Sequence, residues 1–238
     1  MSSESPDCQV IITGSSAGIG LATAQRFVAQ GARVFGVSRR LCPLAAVRSV
    51  QVDLLTPGWP QQLDDALAGE LVPGRRTVVV HNAALLDSDS IDTASAEQLR
   101  RTLELNVVVP MQLSQWALPL CGPGSAFVFV GSTLSEKAVA NTLSYVTSKH
   151  AALGLMRATT QDLIGRAIHS VAVCPGFTDT EMLRERIPDK AVLQQLGAAN
   201  GFGRLIDADE IAATIEFCAA HPVLNGSVIH ANLGQIER

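Results

Sequence analysis

The chain has little charge and few aromatic side chains. Charged residues make up 17% and aromatic residues 4% of its 238 residues, whereas apolar residues make up 47%. We therefore expect a core of Val, Ile, Leu and Ala, in a chain of suitable length for a single α/β domain over residues 1–238. The formal net charge of −4 gives no electrostatic reason to expect binding to nucleic acid or to an acidic membrane surface.

Cysteine pairs and long hydrophobic runs are also absent. The five cysteines are scattered singly, without a Cys-x-x-Cys pair or a Cys/His cluster at zinc spacing, so we expect reduced thiols and no metal. No apolar stretch is long enough to span a bilayer, and the polar residues 1–7 are unlike a signal peptide. These absences predict a cytoplasmic protein.

Short apolar runs alternate with helical patterns along the whole chain. This alternation predicts a doubly wound, Rossmann-type parallel sheet of about seven strands with helices on both faces. The predicted strands are 10–13, 34–37, 49–53, 77–81, 126–131, 170–174 and 227–231, and the predicted helices are 20–30, 59–68, 96–118, 144–165 and 209–220. The long connection 178–203 has only helical fragments, and we expect it to form a substrate-binding lid.

A glycine-rich turn lies between the first predicted strand and the first predicted helix. Gly14, Gly18 and Gly20 are spaced Gly-x3-Gly-x-Gly, with Ser15, Ser16 and Ile19 between them. Glycine lets the backbone approach a ligand phosphate, and the N–H groups at a helix N-terminus then bind the anion. The turn is preceded by a predicted strand and followed by a predicted helix and a second strand. This βαβ order favours a nucleotide site over an ordinary turn.

The residues at the end of the second predicted strand indicate which of the two nicotinamide dinucleotides, NAD(H) or NADP(H), the site would bind. An acidic residue at this position binds the ribose 2′-hydroxyl of NAD, but the sequence here is Ser38-Arg39-Arg40. Guanidinium groups suit a 2′-phosphate, so NADP(H) is favoured over NAD(H), with Arg39 as the more direct ligand. The alternative is that both arginines are solvated loop charges.

Tyr145 and Lys149 lie four residues apart on a predicted helix, and therefore on one helical face. A free phenol, with a pKa of ~10, is a poor acid or base at neutral pH. A cation beside it favours the phenolate, so we expect Lys149 to lower the pKa of Tyr145.

Taken together, these motifs resemble the short-chain dehydrogenase/reductase family over nearly the whole chain. The resemblance rests on Thr13-Gly14-x-x-x-Gly18-Ile19-Gly20, His81-Asn82-Ala83-Ala84, Asn106, Ser132, Tyr145-x-x-x-Lys149 and Pro175-Gly176-x-Thr178-x-Thr180. It implies a homodimer or homotetramer. The chain departs from the family pattern at His81, where asparagine is usual, and after the last strand, where an acidic residue and paired glycines are common.

The resemblance also implies roles for individual residues. Asn106, Ser132, Tyr145 and Lys149 would be catalytic, with Asn106 supporting a water that links Lys149 to solvent. Cofactor contacts would come from the residues of the glycine turn, Ser38, Arg39 and Arg40, and from Asp53, Leu54, Asn82, Ala83, Ala84, Tyr145, Lys149, Pro175, Gly176, Thr178 and Thr180. Asp53 is equally explained as a turn cap. Substrate would contact Ser132, Leu134, Tyr145, Phe177 and Met182, in a pocket that also includes Val139, Leu143 and Leu183.

The predicted function is NADP(H)-dependent interconversion of a carbonyl compound and an alcohol, with Tyr145 as general acid and base and a small molecule as substrate. An NAD-dependent alcohol dehydrogenase, an epimerase or dehydratase, and a non-catalytic dinucleotide sensor or scaffold on the same fold are the alternatives. Arg184 and Arg186 in the lid either attract an acidic substrate or belong to a solvated helix face.

Overall fold

The fold is built on one seven-stranded parallel sheet. The computed structural model describes residues 8–235, so the N-terminal residues 1–7, predicted to be no signal peptide, lie outside the described part. The strands are β1 Cys8–Thr13, β2 Arg33–Ser38, β3 Val47–Gln51, β4 Arg76–His81, β5 Ala126–Val130, β6 His169–Pro175 and β7 Val228–Ala231. Their order is β3-β2-β1-β4-β5-β6-β7, which confirms the predicted doubly wound topology.

Helices connect the strands. They are α1 Gly18–Ala29, α2 Trp59–Leu67, α3 Ala96–Leu103, α4 Val109–Ala117, α5 Leu143–Asp162, α6 Glu181–Arg186, α7 Lys190–Ala198 and α8 Ala208–Ala220. In the described part of the chain, no helix is both long enough and apolar enough to cross a membrane.

The sheet separates two hydrophobic cores, because alternate strand residues point to opposite faces. Ile11 and Val79 pack into the core beneath α2, α4 and α5. Val10, Ile12 and Val78 pack into the core beneath α1 and α8. The central strands are buried on both faces, which explains why they read as continuous apolar runs rather than as alternating patterns.

One predicted helix differs from the structure. The segment 96–118 was expected to be a single helix, but a π-helical turn at Glu104–Val108 separates α3 from α4. Such a turn inserts one extra residue per turn and changes which side chains face inward. Its centre is Asn106, which is only 4% exposed.

Candidate cofactor and catalytic site

A cavity of about 1570 Å³ opens at the carboxyl ends of the parallel strands. The strand order reverses between β1 and β4, and this reversal is where doubly wound sheets form their ligand crevice. Most residues predicted for cofactor, substrate and catalysis line this one cavity. The exceptions are Ser15, Gly20, Asn106 and Leu143, which are not among the lining residues.

The glycine turn forms one wall of the cavity. Gly14 and Gly18 have φ angles of +69° and +51°, a region that favours glycine. A Cβ at Gly20 would lie 2.2 Å from the carbonyl oxygen of Gly14, so this glycine allows α1 to pack tightly behind the turn. The side chain of Ser15 is fully buried and packs against Gly36. Gly20 and Ser15 therefore shape the turn from behind, whereas Gly14, Ser16, Gly18 and Ile19 face the cavity.

The N-terminus of α1 faces the cavity without a side-chain cap. Its N-cap residue, Ala17, offers no hydrogen-bonding side chain, and Gly18 and Ile19 follow at the cavity wall. The first N–H groups of a helix have no partner within the helix and carry partial positive charge. This end of the cavity therefore suits the phosphates of a dinucleotide.

Thr13 and Asn82 join the ends of β1 and β4. The Thr13 hydroxyl accepts hydrogen bonds from the N–H groups of Asn82 and Ala83, at 2.9 and 3.0 Å. The Asn82 side-chain amide donates to the carbonyl oxygens of Thr13 and Gly14, at 2.9 and 3.2 Å. Asn82 lines the cavity, but its side chain is engaged in holding the glycine turn in place.

Arg39 and Arg40 are in different situations. The guanidinium of Arg40 forms an ion pair with Glu181 of α6, with an Nη1–Oε1 distance of 3.1 Å. The guanidinium of Arg39 has no hydrogen bond or ion pair with any residue in 8–235. Ser38 donates its hydroxyl hydrogen to the Arg40 carbonyl, at 2.6 Å. All three residues line the cavity, so Arg39 is the one cation of the loop that is free to meet a phosphate.

The remaining predicted cofactor residues lie around the same cavity. Asp53 accepts a hydrogen bond from the Leu55 N–H at 3.0 Å, so the turn-capping explanation applies, while the residue also lines the cavity. The Thr178 hydroxyl donates to the Gly176 carbonyl at 3.1 Å, and the Thr180 hydroxyl caps α6 by accepting from the Leu183 N–H at 3.3 Å. Leu54, Ala83, Ala84 and Pro175 also line the cavity.

Tyr145, the only tyrosine in the chain, lines the same cavity as Arg39. Its helix α5 follows β5, whereas Arg39 follows β2, and β1 and β4 lie between these strands in the sheet. Burial raises the pKa of Tyr145 to about 12, while the nearby Ser132 hydroxyl acts to lower it. Two hydrogen bonds hold Ser132 in place, each 3.1 Å long. The Ser132 N–H donates to the Ser135 hydroxyl, and the Ser132 hydroxyl accepts from the Leu134 N–H. Because its pKa is raised to about 12, the Tyr145 phenol is protonated at neutral pH.

Lys149 does not lower the Tyr145 pKa as expected. Its Nζ donates to the Val130 carbonyl at 2.8 Å and lies 5.5 Å from the centre of the Tyr145 ring. Burial lowers the pKa of Lys149 to about 8. Burial is the largest cause of both shifts, and neither group is among those that shift the other's pKa.

Asn106 lies beside α5, the helix that carries Tyr145 and Lys149, rather than on the cavity wall. Its side-chain amide exchanges hydrogen bonds with the backbone of Leu85, at 2.8 and 3.0 Å, and donates to the Ser148 hydroxyl at 2.9 Å. Asn106 thus joins the loop after β4 to α5, one residue from Lys149. It makes no direct hydrogen bond to Lys149 itself.

Asp89 is a buried residue that the sequence analysis missed. It accepts a hydrogen bond from the Ser144 N–H at 3.0 Å and another from the Ser144 hydroxyl, and its carbonyl accepts from the Leu143 N–H at 3.2 Å. The N-cap residue of α5, Thr142, provides no side-chain cap, so Asp89 takes over that task. The partners are 55 residues apart, and no local pattern could have indicated them.

The substrate end of the cavity is largely apolar. The predicted residues Leu134, Val139, Phe177, Met182 and Leu183 line the cavity, whereas Leu143, the first residue of α5, does not. Further lining residues, which no sequence motif indicated, come from residues 178–203 and the neighbouring loops, namely Asp87, Lys137, Glu185, Ile187, Val192 and Leu196. Among residues 8–235, no group of three or more His, Cys, Asp and Glu side chains could hold a metal ion.

Comparison with known families agrees with this geometry. A short chain dehydrogenase family model matches residues 9–191. The chain belongs to the short-chain dehydrogenase/reductase family. It is therefore an oxidoreductase of this family, whose members act on small molecules.

Curated relatives of this family span nearly the whole chain. The short chain dehydrogenase adrF of Penicillium rubens is 28% identical, over 94% of both chains. The 3-oxoacyl-[acyl-carrier-protein] reductase FabG of Salmonella typhimurium is 24% identical, over 94% of this chain and 95% of that protein.

Solved structures share the fold. Ligand-free aldohexose dehydrogenase from Thermoplasma acidophilum superposes with a TM-score of 0.88 at 26% identity, covering 96% of this chain and 93% of that chain. Angucycline C-6 ketoreductase LanV with bound NADP superposes with a TM-score of 0.85 at 24% identity, covering 97% of this chain and 96% of that chain.

Proposed function

We propose that this protein is an NADP(H)-dependent oxidoreductase that interconverts a ketone or aldehyde and the corresponding alcohol. One observation carries the proposal: Ser132, Tyr145 and Lys149 line the same cavity as Arg39. Arg39 follows β2 and Ser132 follows β5, and β1 and β4 lie between these two strands in the sheet. A dinucleotide spanning the cavity would place its 2′-phosphate at Arg39 and its nicotinamide beside Tyr145. The uncapped N-terminus of α1 lies between them and suits the pyrophosphate.

The proposed chemistry divides between cofactor and protein. The nicotinamide, when bound, would supply or accept the hydride. Tyr145 donates its phenolic proton to the substrate oxygen in reduction and takes it back in oxidation. Ser132 hydrogen-bonds the same oxygen and orients the carbonyl, and the ammonium of Lys149 stabilises the phenolate left after proton transfer.

The lid, residues 178–203, is proposed to cover the reacting end of the cavity. Helices α6 and α7 both contribute lining residues, among them Met182, Leu183, Val192 and Leu196. Their apolar side chains would exclude water from a bound substrate, which strengthens the hydrogen bonds that Tyr145 and Ser132 make.

The preference for NADP(H) is tested by nucleotide fluorescence. We expect wild-type protein to bind NADPH more tightly than NADH, and Arg39→Ala to weaken NADPH binding about tenfold or more by removing a charge-assisted contact to the 2′-phosphate. Binding of NADH should be unaffected, because it has no phosphate there. Equal affinity of the wild type for both nucleotides would overturn the NADP assignment.

The catalytic proposal is tested by Tyr145→Phe, which removes only the phenolic oxygen. We expect turnover of a carbonyl substrate to fall by about a thousandfold, since general acid catalysis contributes at this scale. Nucleotide fluorescence should show cofactor binding retained. Near-wild-type turnover in this variant would exclude Tyr145 as the proton donor, and a protein that binds neither nucleotide would point to a non-enzymatic role.

A further inference from the structure

Two arginines of the lid helix α6 are in contrasting environments. Arg184 forms a two-pronged ion pair with Asp179, with both N–O distances 2.7 Å, and its side chain is 65% exposed. Arg186 is half-buried, lines the cavity, and has no carboxylate within ion-pair distance in the described part of the chain. The structure therefore distinguishes two side chains that the sequence analysis treated alike.

Arg186 has few partners for a cation at the edge of a cavity. It donates from Nη1 to the Leu86 carbonyl at 3.3 Å and from Nη2 to the Asn141 carbonyl at 3.4 Å. A guanidinium has five N–H donors, and both of these bonds are long. Partial burial of an unpaired charge is unfavourable, and a ligand that brings an anionic group relieves this cost.

Arg186 belongs to the reacting end of the cavity. Its two carbonyl partners lie in the loop after β4 and in the segment just before α5, the helix that carries Tyr145. Its positive charge reaches the phenol, because it is one of the groups that lower the pKa of Tyr145. An anion held by Arg186 would therefore sit within the same substrate pocket as the reacting carbonyl.

The surroundings of Arg186 suit a small, singly charged group. Asp87 and Glu185 line the cavity as well, but neither lies within ion-pair distance of Arg186, and the charge of Glu185 acts on Arg40 instead. Most of the neighbouring pocket is apolar, with Leu134, Met182, Ile187 and Val192 among its lining residues. A single guanidinium fork in an apolar pocket matches the geometry of one carboxylate.

We propose that Arg186 binds a carboxylate of the substrate, so that the enzyme acts on oxo acids and the corresponding hydroxy acids. This proposal rests on the proposed function. In reduction, the ketone carbon gains a hydride from NADPH and its oxygen gains the proton of Tyr145, giving the hydroxy acid and NADP+. The carboxylate is unchanged by the reaction and serves only to orient the carbonyl.

The test compares each acid with its neutral ester. The probes are 3-oxobutanoate, 4-oxopentanoate and 5-oxohexanoate, each beside its methyl ester, with NADPH consumption as the readout. Wild-type enzyme should show a kcat/KM for the best acid about tenfold or more above that for its ester, the difference lying mainly in KM.

The variants are Arg186→Met, Arg186→Lys and, as matched control, Arg184→Met. Arg186→Met should abolish the preference for the acid. Any loss shared by acid and ester reports the altered environment of Tyr145, so only the change in their ratio measures the anion site. Arg186→Lys should restore part of the ratio through its charge, and Arg184→Met should leave the ratio as in wild type.

Three outcomes overturn the carboxylate assignment. One is equal kcat/KM for acid and ester in wild type at every chain length. Another is an acid preference that survives Arg186→Met or disappears in Arg184→Met. The third is a stronger preference for oxoalkyl phosphonates than for the oxo acids, which would assign the site to a phosphoryl group.

A binding measurement separates this proposal from the proposed function. The saturated acids butanoate, pentanoate and hexanoate are titrated by calorimetry into the protein–NADP+ complex, with the methyl esters as controls. Binding of the acids that Arg186→Met abolishes would support the anion site even if no oxo compound is turned over. Turnover of the esters without binding of any acid would support the oxidoreductase function and overturn the anion site.

Discussion

The two halves of the cavity are held in different ways. The half that carries the proposed reacting groups is held by part-buried and buried hydrogen bonds to the backbone, such as those of Asn106 to Leu85 and of Lys149 to Val130. The lid is joined to the rest of the molecule near its two ends by backbone hydrogen bonds, from the Asp179 N–H to the Ile206 carbonyl at 2.9 Å and from the Gly201 N–H to the Leu233 carbonyl at 3.0 Å. Between these ends, the side chains of α6 link it through the exposed ion pair of Glu181 with Arg40 and the long hydrogen bonds of Arg186. Exposed ion pairs contribute little to stability, whereas a buried polar group without its partner is costly.

This difference separates chemistry from recognition. The proposed proton transfer needs Ser132, Tyr145 and Lys149 in fixed positions. Lys149 is held by a buried hydrogen bond of 2.8 Å to Val130, and Ser132 by part-buried hydrogen bonds of 3.1 Å with Leu134 and Ser135. The proposed lid function needs residues 178–203 to move for substrate entry, and a segment whose side-chain contacts are exposed opens at low free-energy cost. Under this proposal, substitutions in α6 should leave Ser132, Tyr145 and Lys149 in place.

Replacing two aspartates that cap helices, one in each half of the cavity, tests most directly whether the two halves differ in how they are held. Asp89 is buried and caps α5 of the catalytic half, while Asp189 is exposed and caps α7 of the lid by accepting from the Ala191 N–H at 2.8 Å. We expect Asp89→Ala to lower the free energy of unfolding by about 3 kcal/mol, because buried donors of Ser144 lose their acceptor. Asp189→Ala should lower it by about 0.5 kcal/mol.

Urea unfolding of both variants, followed by circular dichroism, makes this measurement. Asp89→Asn is the control, because it keeps an acceptor oxygen in the same place and should recover part of the loss. Equal losses for Asp89→Ala and Asp189→Ala would show that the two halves are held alike.

The charge of Lys149, in the half of the cavity that carries the proposed reacting groups, should set the pH above which carbonyl reduction slows. Since burial lowers its pKa to about 8, Lys149 is protonated below that pH and loses its charge above it. We expect kcat/KM for the cofactor in carbonyl reduction to be level below about pH 8 and to fall about tenfold per pH unit above it. Tyr145, with its pKa raised to about 12, stays protonated throughout this range.

Two controls identify the group responsible. Lys149→Arg keeps a positive charge, so the alkaline fall should move to higher pH, though overall activity will be lower. Phenolate absorbance reports Tyr145 directly, because the chain has no other tyrosine. An alkaline fall that coincides with the appearance of phenolate would assign it to Tyr145 instead.

The smallest effect is expected at the ion pair between the lid and the loop after β2. Glu181→Gln releases Arg40, which then becomes available beside Arg39 for the 2′-phosphate. We expect NADPH affinity to rise about threefold at low salt, an advantage that disappears at high salt because exposed charges are screened. NADH affinity is the control, because NADH lacks the 2′-phosphate and should bind equally well to both proteins. Stopped-flow measurement of cofactor release shows whether the gain comes from slower dissociation. An equal gain in affinity for NADH would contradict this explanation.

The sequence by itself determined the fold and most of the cavity wall. Apolar runs alternating with amphipathic patterns require a parallel sheet, because a strand buried on both faces tolerates few polar residues. The glycine spacing and the Tyr145-x-x-x-Lys149 pair are local, so periodicity alone places them on a turn and on one helical face. The prediction that Lys149 lowers the Tyr145 pKa was wrong, because burial depends on what the rest of the chain brings over the two groups.

Only the tertiary structure decided the contacts between distant segments. It placed Asp89 at the start of α5, turned Ser15 and Gly20 away from the cavity, and interrupted the helix around Asn106 with a π turn. It also paired Arg184 with a carboxylate and left Arg186 without one. Such outcomes depend on packing between residues far apart in sequence, and neither propensity nor periodicity records which distant side chain will fill a given space.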